Sequence, residues 1–438
     1  MHVSKTIFAL PAALVVAGAL TYVFAGNEEK ADDSVWFDRA VAVAAAQLSH
    51  TADAIDTTGA FPRSLMTDYS LEQLVEQMEI PHTDFKPEIE LLQHPSVDEY
   101  RTLRLCSAAD WTAGFFPGSL WLAYELTADT TLRDRAVRYT NRMLPASYMT
   151  DTHDLGFMIN CSYGQALRLA PADSIREVIV RTADNLISRF DPTIGCIRSW
   201  DFGPWNYPVI IDNMMNLQLL FNASKISGDA KYKDVAIKHA RTTLAHHFRP
   251  DHTCYHVVSY NADGTVQSAG TFQGKSDGSA WARGQGWALY GYTETYRETG
   301  IKEFLDKAIA VADMFIERNN TDDRVPYWDL DAPAGTDTPR DASAAALIAS
   351  GLIELGYITS DARYTNYAEQ LIRNLASPAY LAEQGTNAGF VLMHSVGSLP
   401  HGSEIDTPLN YADYYFLEAL VRLARVKKGE APVAEFIS

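Results

Sequence analysis

The sequence predicts an all-α protein built as a ring of helical hairpins. Apolar residues recur at helical spacing through long stretches, whereas strand-like alternation is scarce. One sequence pattern recurs along the chain: an apolar helix ends at a short polar turn, and an amphipathic helix follows. Long connections rich in aromatic residues and glycine separate some of these hairpins. Such connections are typical of loops that converge on one mouth of a ring.

Individual helices are predicted where apolar residues alternate with charges at helical spacing. The clearest of these stretches are Leu132–Leu144, Ser174–Phe190, Tyr232–Leu244, Glu303–Ile316 and Asp361–Leu375. The same spacing fits the two ends of the chain, Val35–Leu48 and Tyr414–Val426. The chain therefore has room for about six hairpins.

The recurring pattern spans one helix pair and carries Gly, Ser or Asp where one helix ends and the next begins. It starts at Leu126, Leu169, Ile226, Thr299 and Ile358, with spacings of 43, 57, 73 and 59 positions. An open solenoid and a closed ring both predict this pattern. The long connections 199–211, 250–277 and 395–411 favour the ring.

The composition limits which classes of partner the protein can bind. The chain has 438 residues, 47% of them hydrophobic, and carries 55 acidic against 36 basic side chains, a formal net charge of -19. This profile predicts a folded protein with a large core and excludes disorder. The negative charge makes nucleic acid and anionic membranes poor partners, because both carry phosphate.

The N-terminus has the order of a secretory signal. Lys5 precedes an apolar run that extends to Ala25, after which the chain becomes polar. Residues 1–26 are therefore predicted to be a cleaved signal peptide, with a retained membrane anchor as the alternative. Export to the periplasm, or secretion, follows from the first interpretation. Residues 27–438 are then one barrel domain, with a proline-containing approach segment up to about residue 100 and no membrane contact after cleavage.

The cysteines give no sign of a metal site. Cys106, Cys161, Cys196 and Cys254 lie far apart, without a Cys-x-x-Cys pair or a Cys/His cluster. Disulfide pairing is open to an exported chain, but buried free thiols are the favoured interpretation in a domain of this size.

Five segments interrupt the plain helical pattern, and each places polar groups among aromatic or apolar residues. They are Asp110–Trp121, His153–Phe157, Val209–Asn216, Gly270–Trp287 and Gly402–Tyr415. Asp212 follows an apolar run and precedes a helix, so burial is expected to raise its pKa, as a general acid requires. For Asp212, and more strongly for Asp154, a helix cap is the competing interpretation.

A second set of residues has the chemistry of an acidic-sugar site. Trp281 and Trp287 flank Arg283, and aromatic faces pack on sugar rings while a guanidinium binds a carboxylate at two points. Core aromatic residues and a structural Arg–carboxylate pair are the competing interpretations. His256 alternates with apolar residues on a possible strand, and either burial or substrate contact fits it.

At these segments the chain resembles the unsaturated glucuronyl hydrolases of glycoside hydrolase family 88, which fold as an (α/α)6 barrel. The resemblance covers nearly the whole mature chain, in family order. The matching text is Trp111–Trp121, His153–Phe157, Ile211–Leu217, Ser279–Trp287 and Asp413–Leu420. Members remove a 4,5-unsaturated uronic acid from oligosaccharides that polysaccharide lyases produce, by hydrating a vinyl ether.

The resemblance implies roles for individual residues. Asp212 would be the general acid and then the base toward water, and Asp154 would stabilise positive charge or act as a nucleophile. No metal or organic cofactor is implied. The residues expected to line the site for the unsaturated ring are Trp111, His256, Thr271, Gln273, Trp281, Arg283, Trp287 and Ser403.

One segment departs from the family pattern. Relatives often read Thr-His-Gln-Gly-Tyr where this chain has Phe272 and Lys275 in place of the His and the Tyr.

The alternatives to a glucuronyl hydrolase are an unsaturated rhamnogalacturonyl hydrolase with the same chemistry and a barrel that binds acidic oligosaccharides without catalysis. Epimerases and inverting glycosidases share the fold, so the fold alone does not fix the reaction.

Overall fold

The computed structural model describes residues 35–66, 91–92 and 102–434. The predicted signal peptide and most of the approach segment lie outside the described residues.

The helices follow one another as an inner and an outer member of each hairpin. They are α1 (35–54), α2 (Phe115–Thr127), α3 (Thr130–Arg142), α4 (Gln165–Leu169), α5 (Asp173–Ile187), α6 (Leu217–Ser227), α7 (Ala230–His246), α8 (Ala282–Thr299), α9 (Lys302–Arg318), α10 (Ala342–Thr359), α11 (Ala362–Leu375) and α12 (Asn410–Lys427). Two inner helices begin irregularly: the π-helical segment Gly156–Gly164 leads into α4, and the 3-10 segment Ile211–Asn216 leads into α6.

The recurring polar turn caps the outer helices, as its composition predicts. Asp129, Asp229 and Asp361 each accept a hydrogen bond from the backbone N–H group two residues further on, at the starts of α3, α7 and α11. An Asp at this position satisfies a donor that the first helical turn leaves open.

The ring is closed, because the first and last helices form one hairpin. The hydroxyl of Tyr139 in α3 donates to the carbonyl of Ala52 in α1 at 2.7 Å. At the other side of α1, Arg39 donates to the carbonyl of Ala376, directly after α11. Helix α1 is therefore an outer helix between α3 and α11, and α12 is its inner partner. The closed (α/α)6 barrel confirms the predicted fold class.

The inner helices are apolar on nearly all sides. Helix α10 alone among the described residues is long and apolar enough to span a membrane by length and composition. Of that span 83% is buried inside the protein, so α10 forms part of the core of the ring. The four cysteines are buried and unpaired, which confirms the favoured interpretation.

The loops between the helices contain short antiparallel strands. They are β1 (Phe61–Met66), β2 (Leu91–Leu92), β3 (Thr102–Cys106), β4 (Phe190–Asp191), β5 (Cys196–Ile197), β6 (Pro208–Ile210), β7 (Val257–Tyr260), β8 (Val266–Gly270), β9 (Ser395–Ser398) and β10 (Ser403–Thr407). The two larger sheets have the orders β1-β3-β2 and β6-β7-β8, while β4 pairs with β5 and β9 with β10.

Substituting Gly114 with alanine is expected to destabilise the ring by about 1–3 kcal/mol. A Cβ atom there would lie 2.3 Å from the carbonyl oxygen of Met158, where the start of α2 meets the π-helical segment. Denaturant unfolding measures the loss. Gly335→Ala is the control, because nothing lies within 4 Å of a Cβ at that position. Equal stability of the two variants would contradict the close approach.

Candidate active site

The segments singled out in the sequence meet at one mouth of the ring, where the inner helices begin. Asp154 lies two residues before the π-helical segment, and Asp212 lies within the 3-10 turn before α6. Arg283 lies in the first turn of α8, and Tyr411 lies in the first turn of α12. The candidate site is thus assembled from at least four hairpins.

Asp212 is buried in the way that its sequence context predicts. The residue is 7% exposed, and its Oδ2 atom has no hydrogen-bond partner in the described part of the protein. Burial, with the charge of Asp154, raises its pKa from 3.8 to about 7 against the opposing charge of the Arg283 guanidinium. The carboxyl group therefore exchanges its proton near neutral pH.

The imidazole of His256 faces Asp212. Its Nε2 atom lies 3.5 Å from Asp212 Oδ2. Its Nδ1 atom accepts hydrogen bonds from the backbone N–H groups of Phe272 and Gln273 at 3.2 and 3.1 Å, which assigns the ring proton to Nε2. Burial lowers the pKa of His256 well below its usual range, so the ring is neutral. Pairing of β6 with β7 creates this contact.

Asp154 has a matching arrangement. Its Oδ1 atom lies 3.3 Å from Nε2 of His153, and its Oδ2 accepts a hydrogen bond from the Thr152 hydroxyl at 3.1 Å. The side-chain amide of Asn216 lies 3.4 Å from Nδ1 of His153, and its oxygen accepts from the backbone N–H of Phe157. Burial lowers the pKa of His153, so a neutral imidazole faces each carboxylate.

Neither carboxylate caps a helix. The N-cap of the π-helical segment after Asp154 is Leu155, and the N-cap of the 3-10 segment that contains Asp212 is Ile210; neither segment has a side-chain cap. The competing interpretation of Asp154 and Asp212 as N-caps is therefore wrong. Asp154 keeps 17% of its side chain exposed, which leaves it open to the mouth.

Arg283 differs from the two-point clamp that the sequence predicts. Its guanidinium is 1% exposed and pairs with Asp341 at 3.0 Å, and it also donates to the carbonyls of Val396 and Gly397. The structural Arg–carboxylate pair is the arrangement observed, because Asp341 and the β9 backbone occupy the terminal nitrogens. The charge of Arg283 still acts on the site by lowering the pKa of Asp212.

The predicted tryptophans occupy two places: Trp111 and Trp281 line the candidate site, and Trp287 lies in its floor. Trp111 is half-buried and packs on Tyr411 with 5.1 Å between ring centroids. Trp281 is 3% exposed and packs between the imidazole ring of His256 and the guanidinium of Arg283.

Trp287 has no exposed surface and packs against Phe157 and Tyr415 in the floor of the site. This contradicts the prediction that its indole stacks on a sugar, because both neighbours cover the ring. Its Nε1 atom makes no hydrogen bond of normal geometry with a described residue, but its N–H group lies near Asp212 and lowers the pKa of that carboxyl by hydrogen bonding.

The remaining predicted residues lie in half-buried loops. Gln273 donates to the carbonyl of Gly397 at 3.1 Å, the same oxygen that Arg283 binds. The Thr271 hydroxyl accepts from the backbone N–H of Gly274 and stabilises the turn. Ser403 pairs with Ser398 at the start of β10. Gln273 is directly beside the His256 contact, whereas Thr271 and Ser403 shape the loops around it.

An aromatic wall beside His256 was not predicted from the sequence. Trp200 lies at its centre, with ring centroids 5.2 Å from Phe272 and 5.7 Å from His256. We define the aromatic wall as Trp200, Phe202, Trp205, Phe272 and His401, all of them half-buried. Three aromatic residues within six positions of a predicted mouth loop were the available signal.

Within residues 35–66, 91–92 and 102–434, no group of three or more His, Cys, Asp and Glu side chains is placed to hold a metal ion.

Comparison with family models decides the family. The model for Glycosyl Hydrolase Family 88 matches residues 91–420, and a domain of unknown function matches residues 10–80. The chain belongs to glycosyl hydrolase family 88. It is a glycoside hydrolase of the unsaturated glucuronyl hydrolase type.

Two relatives from the same family illustrate the similarity in sequence. The unsaturated glucuronyl hydrolase of Formosa agariphila is 48% identical over 318 residues, which are 72% of this chain and 80% of the relative. The unsaturated chondroitin disaccharide hydrolase of Streptococcus pneumoniae is 34% identical over 323 residues, 72% of this chain and 81% of the relative.

Solved structures share the barrel. An unsaturated glucuronyl hydrolase specific for heparin has a TM-score of 0.81 and 42% identity, covering 90% of this chain and 98% of its own. A variant of the Streptococcus agalactiae enzyme, in complex with dGlcA-GalNAc6S, has a TM-score of 0.69 and 27% identity, covering 88% and 90%.

Replacing Asp212 with asparagine is expected to stabilise the protein above pH 7, by up to about 4 kcal/mol. Burial raises the pKa of Asp212 to about 7, so the wild-type protein loses stability as the pH rises from 4 toward 7 while the asparagine variant does not. Urea unfolding at pH 4.5 and pH 8 measures the difference.

The control for this comparison is Asp173→Asn, because the Asp173 side chain is fully exposed. It is expected to change stability equally little at both pH values. A destabilisation by Asp212→Asn that is the same at pH 4.5 and pH 8 would contradict the raised pKa.

Proposed function

We propose that this protein removes a 4,5-unsaturated uronic acid from the non-reducing end of lyase-generated acidic oligosaccharides by hydrating the vinyl ether double bond. The observation that carries the proposal is the pair of carboxyl groups at one mouth, Asp154 and Asp212, each facing a neutral imidazole. A carboxyl group with a pKa of about 7 holds a proton to donate at neutral pH, and Asp212 is such a group.

The reaction begins when protonated Asp212 transfers its proton to C4 of the unsaturated ring. The electrons of the C4–C5 double bond form the new C–H bond, and the positive charge at C5 is shared with the ring oxygen. Asp212, now a carboxylate, takes a proton from the water that adds to C5. The resulting hemiketal opens, and the anomeric carbon then releases the remaining sugar.

Asp154 acts on the charge that develops in this reaction. Its charge raises the pKa of Asp212, which favours the protonated acid at the start. His153 and Thr152 contact its two oxygens, so the carboxylate has a fixed direction. Stabilisation of positive charge and nucleophilic attack both use this geometry, and the family resemblance allows either.

Glycosaminoglycan disaccharides are the substrates we place first. The solved structure that is 42% identical to this chain is of an enzyme specific for heparin, and the Streptococcus pneumoniae relative is named for chondroitin disaccharides. The aromatic wall beside His256 offers ring faces to the leaving sugar, since aromatic side chains pack on the apolar faces of sugar rings.

Export completes the proposal. The basic, apolar and small-residue order of residues 1–26 supports cleavage of a signal peptide and a periplasmic or secreted enzyme. Polysaccharide lyases release their products outside the cytoplasm, so an exported hydrolase would meet its substrate there.

The test follows the near-ultraviolet absorbance of the conjugated double bond with heparin, chondroitin and rhamnogalacturonan disaccharides. Asp212→Asn and Asp154→Asn are each expected to slow the absorbance decay by roughly 10²–10⁴-fold. Asp201→Asn is the matched control, because Asp201 is a half-exposed carboxylate of a mouth loop paired with Arg189.

The outcomes separate the candidate functions. Decay with glucuronyl substrates that both variants abolish supports the proposal. Decay with rhamnogalacturonyl substrates alone would favour the related family. Binding of a disaccharide by the wild-type protein without any decay would favour a non-catalytic barrel.

The pH dependence provides a second test. We expect kcat/KM to fall tenfold per pH unit as the pH rises above about 7, because Asp212 then loses the proton that it must donate. Initial rates at subsaturating substrate between pH 5 and 9 measure the profile. A kcat/KM that keeps rising above pH 8 would contradict the assignment of Asp212 as the acid.

The aromatic wall is expected to act on the leaving sugar. Trp200→Ala should raise KM for a disaccharide roughly tenfold, with a smaller effect on the unsaturated methyl uronide, which lacks a second ring. Trp36→Ala is the control, because Trp36 lies on α1 at the outside of the ring. Equal losses with both substrates would contradict contact between the wall and the second sugar.

A further inference from the structure

The turn that carries Asp212 also carries two asparagines that interact with His153. Asn213 and Asn216 lie three positions apart in the 3-10 segment Ile211–Asn216, and both are fully buried. A 3-10 helix has three residues in each turn, so side chains three positions apart lie on the same face. Both asparagines hydrogen-bond with the His153 ring, one of them at Nδ1. The ring is therefore held from the Asp212 turn.

A backbone donor fixes the orientation of the Asn216 amide. The N–H group of Phe157 donates to Asn216 Oδ1 at 2.9 Å. Because that N–H group can only donate, the amide oxygen faces it, and the Nδ2 group is directed at Nδ1 of His153, 3.4 Å away. The Nδ2 group can also only donate, so Nδ1 of His153 is an acceptor. This assigns the ring proton of His153 to Nε2.

A backbone acceptor fixes the Asn213 amide in the opposite sense. Its Nδ2 group donates to the carbonyl of Ile197 at 2.9 Å, and the N–H group of Ile197 in turn donates to Nδ1 of His239 on α7 at 3.0 Å. Because a carbonyl can only accept, Asn213 directs Nδ2 at β5 and has Oδ1 left over. Neither Asn213 Oδ1 nor His153 Nε2 makes a hydrogen bond of normal geometry with a described residue.

These two remaining groups are complementary, since Nε2–H of His153 is a donor and Oδ1 of Asn213 is an acceptor. Burial lowers the pKa of His153, the charge of Asp154 raises it, the charge of Arg189 lowers it, and hydrogen bonding with Asn213 raises it. Nε2 also lies 3.3 Å from Oδ1 of Asp154. The ring proton is therefore shared between the Asn213 amide and the Asp154 carboxylate.

We propose that Asn213 is a positioning residue, which together with Asn216 holds His153 in the tautomer with its proton on Nε2 and so keeps a hydrogen-bond donor directed at Asp154. The turn that supplies Asp212 thereby also sets the direction of the second carboxylate. The effect on catalysis rests on the proposed function, whereas the tautomer of His153 does not. The opposing account is an Asn213 that only anchors its turn to β5.

Replacing Asn213 with alanine tests its role in catalysis. We expect kcat for an unsaturated disaccharide to fall roughly 10–100-fold, because Asp154 is then misdirected. KM is expected to change by less than about twofold, because Asn213 does not touch the substrate.

Asn222→Ala is the matched control for this variant. Asn222 is also a buried asparagine, 1% exposed, but it lies further along α6 and donates to Asn160. It is expected to keep the wild-type kcat. An equal fall in kcat in the two variants would reflect a general loss of packing and would overturn the proposal.

A double-mutant cycle identifies the residue through which Asn213 acts. In a His153→Gln background, Asn213→Ala is expected to change kcat by less than about twofold, because the imidazole that it holds is absent. A loss that is equally large in both backgrounds would instead support the anchoring account. If Asn213→Ala does not fold, Asn213→Ser, which lacks the amide oxygen but leaves a smaller void, takes its place in the cycle.

Nitrogen NMR of histidine-labelled protein near neutral pH gives a readout that needs no substrate. The His153 signals are identified by their loss in His153→Gln, and we expect an unprotonated Nδ1 and a protonated Nε2 in the wild-type protein. A ring proton on Nδ1 would overturn the proposal. Absence of turnover by the wild-type protein with every unsaturated disaccharide would contradict the proposed function instead, and the tautomer alone would then decide between the two accounts of Asn213.

Discussion

Closure of the ring is the constraint on which the rest of the structure depends. Phe115 at the start of α2 packs against Tyr411, Tyr414 and Tyr415 at the start of α12, so the first and last inner helices meet. With the ring closed, every inner helix begins at the same mouth. Loops from distant parts of the chain then converge there, and short strands fix their mutual positions.

The fold was predictable because its signals are local. Apolar spacing and the capping Asp residues of the polar turns depend on neighbours within one or two helical turns, and they survive in the structure unchanged. Burial of Asp212 was predictable for the same reason, since the apolar residues Val209, Ile210 and Ile211 directly before it are themselves buried.

Contacts between distant segments were not predictable. Arg283 meets Asp341 and the backbone of Val396, which lie 58 and 113 positions further along the chain. The sequence around Arg283 does not show whether its guanidinium binds these protein groups or the carboxylate of a sugar. The aromatic wall has the same origin, because Phe272 and His401 join Trp200 only after three separate loops have met.

The length of the π-helical segment Gly156–Gly164 sets the direction of Asp154. The segment holds more residues in each turn than an α-helix, and Asp154 lies two residues before its start. Deleting one residue within the segment would turn Asp154 by about 100° relative to α4. A deletion within this segment would therefore change the direction of one of the two carboxylates, whereas a deletion in an outer loop would leave both in place.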